Sequence, residues 1–252
     1  MAKHNKFFWF NIIFLAFLTA ALVICGFYDL EISKQLFKIK NFGRIFSNIA
    51  DFPISIGLIF SFTILYAYFP LQKSKVFILK ALSAAGLLTG CILFWIKIQT
   101  YYGLPSIFFK YFIPVLLAVI STAVIILLSK LLNADFVKKM LLFAIYTVAL
   151  ILIVRFFAGV IKLLWQRLRF MNLDPSTYAG YTPWWLPQFT TSGRQHFVVG
   201  SYYQDKTFMS FVSGSTAAAG NLFAIIMLPE IFKKLKTYSP LFYIMPMLYC
   251  LL

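Results

Sequence analysis

The chain has 252 residues, 62% of them hydrophobic and only 12% charged, with a mean hydropathy of +0.86. A soluble globular chain is roughly 45–50% apolar and about 25% charged, so this composition excludes a soluble enzyme, a disordered chain and a collagen-like fibre. The net charge of +16, from 23 Lys and Arg against 7 Asp and Glu, would point to nucleic acid in a soluble protein. Here the basic residues fall between apolar runs, which is the pattern of loop and interface charge in a polytopic membrane protein with no nucleic-acid partner.

A membrane-crossing helix needs about 20 mostly apolar residues. In chain order the sequence predicts such stretches at 7–27, 53–69, 76–98, 111–132, from about 140 past 161, and at 210–228, with a shorter seventh at 240–252. The runs are continuous rather than alternating, which favours helices over a barrel. Helices also satisfy their backbone polar groups locally, as the bilayer demands. The expected fold is therefore all-α, a polytopic transmembrane helical bundle of about six to seven membrane helices. The first stretch has a basic start at Lys3 and Lys6 but lacks a small-x-small cleavage site, so it reads as a retained helix.

Loop charges set the orientation. An inside N-terminus places three short basic hairpins in the cytoplasm, carrying Lys73 and Lys75, Lys138 and Lys139, and Lys233, Lys234 and Lys236. The opposite loops are also basic, with Lys34, Lys38, Lys40 and Arg44 in one and several cations between 162 and 206 in another. Weighting the short hairpins more heavily predicts a multi-pass cell-membrane protein with a cytoplasmic N-terminus and the 167–207 loop on the extracytoplasmic side. Cys25, Cys91 and Cys250 all lie within apolar runs, and His4 and His196 are the two histidines, so neither a disulfide framework nor a metal site is expected. No cofactor is expected either.

The fifth stretch ends in a basic face. Arg155, Lys162 and Arg169 are seven residues apart, close to two helical turns, and so stack about 10 Å from one another. Snorkelling of a helix end accounts for Arg167 and Arg169. It accounts less well for Arg155, which lies well inside the apolar run, where a cation is a functional candidate. The sixth stretch opens with Ser210-Phe-Val-Ser213-Gly214-Ser215-Thr216-Ala. Ser and Thr cap helices, and a helix N-terminus is a seat for phosphate. Plain capping with close packing through Gly214 and Ala218 is the alternative. Taken together, a cationic helix end, a loop of about 40 residues and a Ser-Gly helix start would form an electropositive cup at one membrane face, with Trp184 and Trp185 at headgroup depth.

These residues resemble a known family. Lys162-x6-Arg169, or Lys162-x4-Arg167-x-Arg169, is similar to the first signature of the type-2 phosphatidic acid phosphatase and vanadium haloperoxidase superfamily, K-x4-R-x-R-P, with Phe170 in the proline position. Val212-Ser213-Gly214-Ser215-Thr216-Ala is similar to its second, P-S-G-H-T-A. The resemblance covers roughly 140–252, implying N-terminal transmembrane helices over 1–139 and a partial phosphatase-like core over 140–252. It implies hydrolysis of a lipid phosphate or isoprenyl diphosphate at the membrane surface through a phosphohistidine. Lys162, Arg167, Arg169, Ser213, Gly214 and Ser215 would bind the phosphate.

The pattern is incomplete. Ser215 stands where the family has its general-acid histidine, Val212 replaces the proline, and no third motif, S-R-x5-H-x3-D, follows within the 252 residues. No catalytic residue can therefore be assigned. His196 falls on neither motif and reads as an ordinary loop histidine, as Asp174 and Asp205 read as loop solvation and capping. The chain is expected to be inactive as written, whether a truncated fragment or a descendant that only binds. A non-catalytic lipid-phosphate-binding protein is the alternative. A small transporter, motivated by Lys80, Lys97 and Arg155, ranks below both because discontinuous helices in matching halves are missing.

Overall fold

The computed structural model describes residues 49–69, 74–102, 107–165 and 214–251, with scattered positions between 12 and 35. Every regular element among the described residues is helical. The chain divides into two compact units, one joining Met1–Gly43 to Val160–Val212 and the other joining Arg44–Gly159 to Ser213–Leu252. The second contains nearly all of the described residues. In order, the elements are α1 (Phe52–Tyr68), α2 (Ser74–Tyr102), α3 (Ile107–Ser129), α4 (Ala134–Trp165), α5 (Gly214–Ala219), a 3-10 segment (Gly220–Met227), α6 (Leu228–Ile231), a second 3-10 segment (Lys233–Tyr238) and α7 (Ser239–Leu251).

Local chemistry sets the boundaries. Pro53 sits in the first turn of α1, where its missing N–H costs nothing. Phe69 turns extended (φ −85°, ψ 112°), as expected of a residue before proline, and ends the helix ahead of Pro70. The α3–α4 connection is four residues long, which makes the two helices antiparallel neighbours. Asn133 Oδ1 caps α4 by accepting the Asp135 N–H at 2.8 Å, and Asp135 complements the helix dipole. Because α4 already starts at Ala134, Lys138 and Lys139 are exposed helix residues and not part of the hairpin itself.

Three helices are long and apolar enough to cross a membrane: Val76–Gln99 in α2, Tyr111–Ser129 in α3 and Ala134–Lys162 in α4. The predicted six to seven spans are thus matched by three among the described residues. The 7–27 stretch lies largely outside them. The 53–69 stretch forms α1, which is apolar but has 17 residues, about 26 Å at 1.5 Å per residue against a hydrocarbon core of about 30 Å. The 210–228 stretch is not one α-helix. It is α-helical over Gly214–Ala219, passes into 3-10 geometry and returns to α only at Leu228. The cause lies in the sequence. Asn221 Nδ2 donates to the carbonyls of Ala217 at 3.3 Å and Ala218 at 3.0 Å, competing for acceptors an α-helix would give to its own N–H groups. Pro229 then has no N–H to return to Ile225.

Helix α1 is the hub of the packing. Gly90 of α2 lies so close that a Cβ there would stand 3.0 Å from the Ile59 backbone nitrogen, so the two helices meet backbone to backbone. Gly57 faces α4, where a Cβ would meet Thr147 Cγ2 at 3.1 Å. Ile54, Ile151 and Ala218 tie α1, α4 and α5 together near one end of the bundle, and Ile64, Val137, Met140, Phe143, Ala144 and Ala224 tie α1, α4 and the first 3-10 segment together toward the other. A third cluster, Leu87, Cys91 and Ala118, joins α2 to α3, and Trp95 Nε1 donates to Ser121 Oγ at 3.0 Å beside it.

The outward faces stay apolar. Leu116, Val119, Ile120, Leu127 and Leu128 of α3 are exposed, as are Leu142, Leu152, Ile153 and Phe156 of α4. Helices apolar all round suit a lipid surround. Several polar side chains of the bundle are satisfied locally, with Thr63, Ser83 and Thr147 donating to carbonyls four residues back, whereas Ser61 Oγ is buried without a hydrogen-bond partner among the described residues.

Candidate functional site: a charged end and an apolar groove

The antiparallel course of α1 to α4 brings one set of helix ends together. The start of α1, the end of α2 and the later part of α4 all lie at the end marked by Ile54, Ile151 and Ala218. The start of α5 belongs to this end because Ala218 packs there. So does the close of α7, since the Tyr249 hydroxyl donates to the Ile49 carbonyl.

Three charges meet at this end. Asp51, immediately before α1, makes no side-chain cap hydrogen bond. Its carboxylate instead lies between two cations: Lys97 Nζ pairs with Oδ2, and Arg155 Nη2 stands 3.7 Å from Oδ1. The side chains of Asp51, Lys97 and Arg155 are 18%, 32% and 50% exposed, so the carboxylate is the most enclosed member and the guanidinium the most open. One acidic side chain against two basic ones gives the cluster a formal net charge of +1.

The contact with Asp51 also fixes the level of Arg155. Asp51 and Lys97 mark the ends of α1 and of the apolar span in α2. Arg155 lies level with them, and α4 runs on to Trp165, about 15 Å further at 1.5 Å per residue. The cation stands inside the apolar run of the sequence but at the level where neighbouring helices end. Lys80, the other cation within an apolar run, sits toward the opposite end with its Nζ 4.6 Å from the centroid of the Tyr66 ring.

Beside the charged end runs an apolar groove with a cavity volume of about 440 Å³. Phe52 and Tyr249 line it near the charges, Ile56, Phe60 and Phe143 along its length, and Leu228 toward the far end. Phe52 directly follows Asp51 in the chain, so the lining of the groove begins one residue from the ion cluster.

The sequence-predicted phosphate residues are described only in part. Lys162 lies half-buried in the last turn of α4, seven residues after Arg155 on the same continuous helix. Gly214 and Ser215 open α5, whose six residues form a single short α-helical segment. Arg167, Arg169 and Ser213 lie outside the described residues, as do Trp184, Trp185, His196, Asp174 and Asp205. Asp51 was not singled out by the sequence. The available signal was a lone acid at the head of an apolar stretch, opposite a lone lysine at the end of the next. Among the described residues no group of three or more His, Cys, Asp or Glu side chains is placed to hold a metal ion.

Compared with family models, curated proteins and solved structures, the chain matches none.

Proposed function

We propose that the chain is a membrane-embedded protein that binds a lipid phosphate, its headgroup at the charged end of the bundle and its hydrocarbon in the adjoining groove. The observation that carries this reading is the closeness of the two along the chain: Lys97 and Arg155 converge on Asp51, and Phe52, the next residue, lines the apolar cavity. A cationic cluster next to an apolar channel complements an anionic amphiphile. Charge-assisted hydrogen bonds to phosphate are among the stronger polar contacts.

The resemblance of Lys162, Arg167, Arg169 and Ser213-Gly214-Ser215 to phosphatase motifs supports the same ligand class, a phosphomonoester or isoprenyl diphosphate, and the basic short hairpins support an extracytoplasmic placement of the 167–207 loop. Ser215 in the general-acid position argues for binding without turnover, because a serine hydroxyl does not protonate a leaving group near neutral pH. The test pairs two assays on the purified 252-residue chain in detergent. Native mass spectrometry should show dioleoyl phosphatidic acid retained in preference to dioleoyl phosphatidylcholine, and a phosphate-release assay on the same lipid should stay at background. Equal retention of both lipids would defeat the binding reading, and sustained release would defeat the non-catalytic one.

A further inference from the structure

Three pieces of backbone wall the apolar groove: α1 with Ile56 and Phe60, α4 with Phe143, and the first 3-10 segment with Leu222 and Ile225. Tyr249 joins them from α7, which packs against the 3-10 segment and α5. Its ring stands on the groove wall, while its hydroxyl donates to the carbonyl of Ile49, just ahead of α1. One side chain thus ties the helix packed on one wall of the groove to the segment that leads into another.

The tie lies beside the ion cluster. Ile49 and Asp51 are two residues apart, within about 7 Å even along a fully extended chain. Asp51 holds Lys97 and Arg155, and Phe52 begins the groove lining. Tyr249 therefore stands where the charged end and the groove approach one another. Its backbone support has a weak point. Pro246 lies inside α7 three residues earlier and has no N–H to give to the Phe242 carbonyl, so the last turn is held to the rest of the helix by one bond fewer. Proline within a helix is a common site of bending. A hydroxyl tie across the groove, with a proline behind it, has the parts of a latch.

We propose that Tyr249 latches the groove. With its hydroxyl on Ile49 O, the ring separates the groove from the charged end. An amphiphile that sets its polar end at the charges and its chain in the groove displaces the ring, breaks the tie and frees the last turn of α7. This deepens the lipid-binding reading and rests on it for the occupant, but it concerns the passage of the chain and not the phosphate.

The test removes the hydroxyl alone. In Tyr249→Phe the ring is kept and the tie is lost, so a lipid no longer has to break it. Dioleoyl phosphatidic acid should bind this variant about fivefold more tightly than the unaltered chain, the scale of one neutral hydrogen bond. Dioleoylglycerol should gain by the same factor, because the chain and not the phosphate passes the ring. Tyr238→Phe, at an exposed tyrosine of the second 3-10 segment, should change neither affinity. A second readout follows the last turn itself. Hydrogen exchange of residues 247–251, measured by mass spectrometry on the full chain, should quicken when either lipid is added and should already be fast in Tyr249→Phe without lipid. Unchanged or weaker binding of both lipids to Tyr249→Phe overturns the latch, and so does exchange in the last turn that is indifferent to lipid. A chain that binds the two lipids equally, yet gains affinity for both in Tyr249→Phe, keeps the latch and loses the phosphate seat, so the two failures are told apart.

Discussion

Arg155 Nη2 lies 3.7 Å from Asp51 Oδ1, joining the fourth helix to the head of the first through a carboxylate that also holds Lys97. The carboxylate both anchors the two cations and competes for them with any incoming anion. Asp51→Asn should therefore act in opposite directions on stability and binding. It leaves Lys97 and Arg155 facing one another without compensation, and with side chains 18–50% exposed the loss should be about 1 kcal/mol. It should also tighten phosphatidic acid binding several-fold. Thermal unfolding and lipid titration of the variant check the two effects separately.

The backbone contact between α1 and α2 predicts a steric cost. Gly90→Val places a branched side chain where even a Cβ would stand 3.0 Å from Ile59 N, and backbone cannot yield as a side chain can. Overpacking of this kind costs about 1–3 kcal/mol. Gly159→Ala meets nothing within 4 Å and should be neutral or slightly stabilising through helix propensity. Unfolding in graded denaturing detergent distinguishes the two variants.

The orientation read from loop charges has its own test. After Cys25, Cys91 and Cys250 are replaced by serine or alanine, single cysteines are introduced as Ser74→Cys and Ser192→Cys. An impermeant thiol reagent on intact cells should label position 192 and spare position 74. The reverse pattern means the bundle is inverted.

The motif resemblance predicts a specific basic requirement. Arg169→Ala should weaken phosphatidic acid binding about tenfold, since charged contacts of this type are worth roughly 1.5–3 kcal/mol. Restoring only the acid, by Ser215→His, should not produce phosphate release, because no nucleophile is supplied with it. Release from that variant would show that this chain holds the remaining chemistry elsewhere.

The helical, outwardly apolar character of the described residues was legible in the composition, because long continuous runs rich in Phe, Leu and Ile leave helices with apolar outer faces. The ends of elements were less legible. The apolar run near 140 begins six residues after the helix does, because Asn133 caps α4 and Lys138 and Lys139 are accommodated on its exposed face. That offset also made Arg155 read as deeply intramembrane, when α4 overshoots its neighbours and Arg155 meets the level of Asp51. The break in the 210–228 stretch follows from the side chain of one asparagine, which hydropathy averages away. The ion cluster was half visible. Lys97 and Arg155 stood out as cations in apolar runs, but their partner is 46 residues from the one and 104 from the other, and only the antiparallel packing of α1, α2 and α4 brings Asp51 to both.

The most direct test of a phosphate seat at the charged end compares Arg155→Ala with Lys236→Ala. Lys236 is an exposed lysine at the other end of the bundle, 3.8 Å from Glu230. The quantity to measure is the affinity of each variant for dioleoyl phosphatidic acid relative to dioleoylglycerol, the same lipid without the phosphate. The unaltered chain and Lys236→Ala should prefer the phosphate-bearing lipid alike, and Arg155→Ala should reduce that preference about tenfold. An equal loss in both variants would reduce the site to diffuse basic attraction, and no loss in Arg155→Ala would contradict a phosphate seat at this end.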